Sequence, residues 1–152
     1  MRLLIQRVTE ASVTIDGEKT GEIHKGYLVF LGIGEGDTRG IVEKMFQKMF
    51  KLRIFQDADG KTNQSITEAE GELLVVSQFT LYADCRKGNR PSFVKAGSPV
   101  VAEELYEYFL SLCREKAGSV AHGSFGADMK VALVNDGPFT VLLDSKELGI
   151  FD

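Results

Sequence analysis

The chain has little of what most hydrolases use. Its 152 residues include two histidines, two cysteines and no tryptophan. Neither His24 nor His122 stands beside a nucleophile or in a metal-ligand spacing, which leaves a zinc site or a Ser-His-Asp triad without support. Cys85 and Cys113 are not in a metal or redox spacing, and two isolated thiols fit a reducing cytoplasm better than a disulfide framework. Cys85 adjoins Arg86 and Lys87, which favour a thiolate, but no base partner is in view. No apolar run approaches the roughly 18 residues of a membrane span, and residues 1–7 turn polar too soon for a secretory leader. Internal repeats, linkers and low-complexity tracts are missing too. Gly32, Gly34 and Gly36 look like a nucleotide loop, yet no Lys-Ser/Thr follows and the G-x-G-x-x-G spacing is wrong. Asp57, Asp59 and Gly60 resemble part of a calcium loop that lacks its later glutamate, so a turn is the better reading.

What is present describes an ordinary globular protein. With 43% hydrophobic and 26% charged residues, the chain reads as one domain over 1–152 with a real core. A net charge of −4 argues against broad non-specific nucleic-acid binding and leaves room for a local basic patch. Alternation predicts strands over 3–7 and 11–15, a hairpin at Asp16-Gly17, and a returning strand over 20–24. The continuous apolar runs over 26–33 and 72–78 predict strands buried on both faces. Apolar residues at helical spacing predict a first helix over 38–52, capped by Asp37 or Thr38. A second helix opens at Ser98-Pro99, carries a stripe of Leu105, Tyr108, Phe109 and Leu112, and stops at Gly118. About eight strands and two helices give an α+β fold: a curved, mostly antiparallel or mixed sheet, barrel-like, with the helices outside.

Two stretches stand out as candidate chemistry. Val134-Asn135-Asp136-Gly137-Pro138-Phe139-Thr140 joins strand signals over 129–134 and 139–143. Proline withholds an N–H from the ladder and restricts the residue before it, so Asp-Gly-Pro reads as a stiff corner, in its plain form a hairpin turn. Ser77-Gln78-Phe79-Thr80-Leu81 ends another strand with hydroxyls and an amide. Such hydroxyls more often bond locally than act as nucleophiles. Between them, Arg86, Lys87, Arg90 and Lys95 form a basic loop opposed only by Asp84, either a solvated loop or a phosphate contact.

The paired stretches Ser77 to Leu81 and Asn135 to Thr140 resemble the signatures of the D-aminoacyl-tRNA deacylase family. So do Leu4-Ile5-Gln6-Arg7-Val8, Arg53-Ile54-Phe55, Arg90-Pro91-Ser92-Phe93 and Phe125-Gly126-Ala127-Asp128-Met129, in one order along nearly the whole chain. Ser124 stands where the resemblance leads one to expect a basic residue, and Phe139 where valine is common. The resemblance implies a cofactor-free, metal-independent esterase acting on the acceptor end of D-aminoacyl-tRNA. It also implies a homodimer with its active sites at the interface, and a cis Gly137–Pro138 peptide inserted into the partner's site. By the same token, Gly137 and Pro138 select chirality with Arg7 bracing them. Ser77, Gln78, Phe79 and Thr80 line the catalytic pocket for the terminal adenosine, and Phe125 and Met129 pack near the adenine. Arg86 and Lys87 meet acceptor-stem phosphates. With no base visible, the 2′-OH of the terminal ribose is the expected activator of water, and glycyl-tRNA the expected leak. Two other readings compete: a non-catalytic nucleic-acid-binding module, and an editing domain of the same fold acting on a mischarged L-amino acid.

Overall fold

In the computed structural model, which describes residues 1–152, the two amino-terminal strand signals merge into one strand. β1 (Arg2–Ile15) is continuous. Its first half pairs antiparallel with β3 (Gly26–Gly32), and its second half with β2 (Glu18–Ile23) across the Asp16-Gly17 turn. Both turn residues have positive φ, 50° and 79°, as the hairpin signal required. β6 (Glu72–Ser77) lies parallel to β3, and the short β7 (Ala121–His122) parallel to β6. β4 (Phe55–Gln56) and β5 (Thr62–Gln64) form a separate ribbon. β8 (Lys130–Asp144) pairs antiparallel with β1 along almost all of it. The result is the α+β architecture expected, a nearly closed mixed sheet with two helices outside it.

β1 serves two cores. Leu3 and Ile5 join Tyr27, Val29, Leu31, Leu73 and Val75 beneath the helices. Val8, Ala11 and Val13 instead meet Ile23, Leu28, Leu74 and Val76 on the other side of the sheet. β3 and β6 therefore lie between two apolar layers, which is why their sequences run apolar without alternation.

α1 (Arg39–Lys51) begins at Thr38, whose hydroxyl accepts from the Ile41 N–H at 3.3 Å. Asp37, the other candidate cap, accepts instead from the Met1 α-ammonium at 2.7 Å and from the Gly34 N–H at 2.7 Å. α2 (Pro99–Ala117) ends on left-handed Gly118, but Ser98 makes no side-chain cap bond. Its buried stripe is Ala102, Leu105, Tyr106, Phe109, Leu110 and Cys113. Tyr108, also in the expected stripe, is half-buried against the same core, with its ring under the Arg39 guanidinium and its hydroxyl donating to the Glu43 carboxylate. Burial pushes the Cys113 thiol up to about 12, outweighing the neighbouring Arg114 charge.

The helix layer is locked by an aromatic contact between the two helices. Phe109 is fully buried and meets Phe46 of α1 edge to face, with ring centroids 6.0 Å apart. Phe109→Ala should cost about 3–5 kcal/mol, read as a lower urea midpoint at unchanged slope. A loss under about 1 kcal/mol would mean the helices are held chiefly by other contacts.

Candidate active site

Ser77 closes β6 opposite Leu31 of β3, and the Gln78 N–H donates to the Leu31 carbonyl at 2.8 Å. The chain then tightens into a 3₁₀ turn, Phe79–Tyr82. Gly32 permits this: a Cβ there would stand 3.1 Å from the Gln78 carbonyl oxygen and 3.2 Å from the Leu81 Cβ. The strand end expected over 77–81 is thus a strand end followed by a turn. The Gln78 side-chain amide donates to the Thr80 hydroxyl. Phe79 remains 57% exposed and meets Phe93 edge to face at 4.9 Å.

Beside this turn opens a cavity of about 620 Å³. Ser77, Gln78 and Phe79 form one wall, and Phe125 and Met129 another. Phe93 and the start of α2, with Pro99, Ala102 and Tyr106, complete it. Gly126, at φ 77°, turns the chain between Phe125 and Met129. The Met129 sulfur occupies the space that a side chain on Gly123 would need. Only two titratable side chains face this cavity. The Tyr106 hydroxyl donates to the Val75 carbonyl at 3.0 Å and its pKa is raised by burial. The Asp128 carboxylate is mostly exposed and paired with Lys130 at 2.9 Å. Neither is a free general base, and no group of three His, Cys, Asp or Glu side chains is placed to hold a metal.

Thr80 does not line the cavity but stands next to it on the turn. Arg86 lies on a second, smaller cavity of about 360 Å³, together with Arg2, Tyr82, Cys85 and Lys95. Asp84 engages two of these cations. Arg86 Nε donates to it at 2.8 Å and Lys95 Nζ lies 3.8 Å away. Hydrogen bonds from Arg86 hold the Asp84 carboxyl well below the usual carboxylate range. Lys87 and Arg90 are exposed and line neither cavity.

The Gly-Pro corner is not a hairpin. β8 continues through it, and both of its halves pair with β1. Asn135 pairs with Val8 and Thr140 with Gln6, so Asp136, Gly137, Pro138 and Phe139 bulge opposite Arg7 alone. A Pro that gives no ladder bond is tolerated in such a bulge. The Gly137–Pro138 peptide is cis. Asn135 staples the bulge, accepting from the Phe139 N–H at 2.7 Å and donating to the Thr140 hydroxyl at 2.8 Å. Buried Arg7 donates to the Asp136 carbonyl at 3.0 Å and the Ile54 carbonyl at 2.6 Å, with its guanidinium over the Phe139 ring. Phe139, the aromatic at a position where valine is common, is thus what gives Arg7 a surface to stack on.

Of the site residues expected, Ser77, Gln78, Phe79, Phe125 and Met129 come together at one cavity. Arg7, Gly137 and Pro138 gather at the bulge, which lines neither this cavity nor the smaller one. Phe93 and Tyr106 also line the cavity and Arg2 the smaller one, and none of the three was among the expected site residues. Phe93 lies within the Arg90-Pro91-Ser92-Phe93 motif, Tyr106 falls outside the expected α2 stripe, and a lone arginine at position 2 carries no pattern.

The sequence and the fold both have known relatives. The family model described as D-Tyr-tRNA(Tyr) deacylase matches residues 4–144. A D-aminoacyl-tRNA deacylase of Myxococcus xanthus (strain DK1622) is 56% identical over 145 residues, covering 95% of each chain. Another, of Clostridium novyi (strain NT), is 50% identical over 147 residues, covering 97% of this chain and 99% of that one. The solved structure of a "c-Myc DNA Unwinding Element Binding Protein" superposes with a TM-score of 0.90 at 42% identity, covering 95% of this chain and 99% of the other. A match over residues 4–144, with relatives at this identity along their full length, settles the kinship: the chain belongs to the D-Tyr-tRNA(Tyr) deacylase family.

Proposed function

We propose that this protein hydrolyses the ester joining a D-amino acid to the 3′ end of tRNA, releasing the free amino acid and intact tRNA. The observation that carries the reading is the apolar, aromatic-walled cavity edged by Ser77, Gln78 and Phe79. Its apolar, aromatic lining suits a flat adenine, and its rim offers an amide and a hydroxyl rather than a free charged base. Water then needs activation from elsewhere, and the substrate's own 2′-OH is the group at hand. Backbone N–H groups near Phe79 and Thr80 hold the oxyanion as water adds to the ester carbonyl. The chemistry uses no metal or cofactor.

Discrimination falls to Gly137 and Pro138, supplied by a second copy of the chain. Two features support that. The corner lies away from its own chain's cavity, and β8 leaves a 15-residue edge unpaired, with Val134 and Leu142 about half exposed. Long apolar edges of this kind are usually covered. With the substrate's ammonium held at the corner, an L side chain meets the main chain while a D side chain points away. Glycine meets nothing, so glycyl-tRNA is also cleaved. A cytoplasmic setting, where charged tRNA is used, accords with two free thiols. The name of the 42%-identical structural relative, together with the exposed Phe79, favours a second reading, a nucleic-acid-binding module without catalysis.

Matched D-tyrosyl-tRNA and L-tyrosyl-tRNA, incubated with the protein with and without EDTA, separate these readings. Loss of the D ester alone, unchanged by EDTA, is expected. Loss of both esters would remove the chiral filter, and loss of neither with tRNA still bound would leave the binding module. Thr80→Ala should retain turnover within about tenfold, since the hydroxyl is not the nucleophile; abolished turnover with intact binding would reverse that assignment. Replacing Arg86 and Lys87 by Ala should weaken tRNA binding and flatten its salt dependence by up to about two phosphate contacts. An unchanged slope would take the loop out of the interface.

A further inference from the structure

We infer that Arg2 is a positioning residue for the hydrolysis, clamping the turn that carries Phe79 and Thr80 to the far end of β8. The inference rests on the reading under Proposed function and deepens it.

The turn needs an external tie. Beyond the Gln78 N–H, its main-chain bonds are internal, from Leu81 N–H to the Gln78 carbonyl and from Ala83 N–H to the Thr80 carbonyl. Main-chain bonds between Asp84 and Ser92 hold the chain just beyond it, and Arg2 ties the turn itself. Its Nη1 donates to the Leu81 carbonyl at 2.7 Å, while its Nε donates to Asp144 Oδ2 at 2.7 Å. The guanidinium also lies over the Tyr82 ring, 4.7 Å from the centroid. Tyr82 is pinned from another direction by Gly34, where any Cβ would come within 2.7 Å of the ring. The last residues of the turn are therefore held between the β3 end and the Arg2 side chain.

Arg2 is itself held in place. It faces Asp144 in the β1–β8 register. Asp144 is buried, and its Oδ1 accepts from the Lys146 N–H at 2.8 Å. Burial alone would raise the Asp144 carboxyl, but the bonds from Arg2 and the following N–H groups outweigh it and hold the pKa down. The carboxylate fixes one arm of the guanidinium fork, which aims the other at Leu81. A lysine has a single ammonium and cannot hold two acceptors in that fixed geometry. Arg2 touches no reacting atom; its effect reaches the ester only through the placement of Phe79 and Thr80. Small displacements of groups around a reacting centre lower turnover far more than binding.

The test compares wild type, Arg2→Met and Arg2→Lys on D-tyrosyl-tRNA, well below each protein's Tm. Affinity for an uncleavable 3′-amide-linked D-tyrosyl adenosine is measured in parallel. For Arg2→Met, kcat should fall about tenfold while KM and the analogue Kd stay within about twofold. Arg2→Lys should recover part of the loss. If Arg2→Met does not fold, Arg2→Lys carries the test, with kcat below wild type at unchanged KM. The inference is overturned if kcat is unchanged, or if KM and analogue binding worsen in step with kcat. Inactivity of the wild type itself would overturn the proposed reaction, and this inference with it.

Discussion

A strand that faces two cores has to change which of its sides is inside, and β1 does so at Arg7 and Val8. Leu3 and Ile5 point to the helices, Val8 and Val13 to the opposite layer, and pairing with β8 slips at the same place. The slip sets four residues of β8 against one of β1. It also leaves a buried guanidinium where an alternating strand would put another aliphatic. Arg7 can stay there because two carbonyls and an aromatic face receive it, as a buried charge requires. The shape of the Gly-Pro corner is thus a by-product of how the sheet changes sides. One of the carbonyls belongs to Ile54, just ahead of β4, so the corner is braced from outside the main sheet as well.

In the proposed reaction the cavity and the corner divide the chemistry between them. The cavity provides surface and main-chain groups, and its two titratable side chains are already engaged. The nearby cations are likewise partly spoken for, since Asp84 draws Arg86 and Lys95 toward one carboxylate. Any phosphate arriving at this loop competes with Asp84 for Arg86, which makes the contact exchangeable rather than fixed. Polarity near the ester then comes mainly from the peptide backbone, whose orientation is set by tertiary structure.

How much of this was legible in the sequence follows from the range of each signal. Periodicities of 2 and 3.6 reported local facts, so β3, β6, α1 and the Asp16-Gly17 hairpin stand close to where the patterns put them. The Asp-Gly-Pro corner misled because its turn signal is local, whereas the bulge depends on the register of β8 against β1, residues far away in sequence. The break between residues 7 and 11 misled in the same way: it marks a change of facing within one strand, not an end. On α2, the expected stripe with Tyr108 does pack on the core, but it left out Tyr106, which is buried against Phe125 and donates to the Val75 carbonyl. Ser98 had the right identity for a cap and lacks the hydrogen bond. Among candidate site residues, Ser77, Gln78 and Phe79 of one motif and Phe125 and Met129 of another converged on one cavity, while Thr80 stands just outside it. The corner did not join them, because its place is set by the β1–β8 register, which no local pattern reports.

The two cysteines hold opposite positions. Cys113 sits fully enclosed in α2 with its thiol pushed up to about 12, so it offers almost no thiolate to a reagent at neutral pH. Cys85 is exposed, on the rim of the smaller cavity beside Arg2 and Arg86. The folded chain consequently carries one addressable sulfur, and it stands three residues beyond the end of the turn that bears Phe79 and Thr80. A maleimide dye placed there labels each chain once, with no substitution needed, and puts a reporter next to the basic loop.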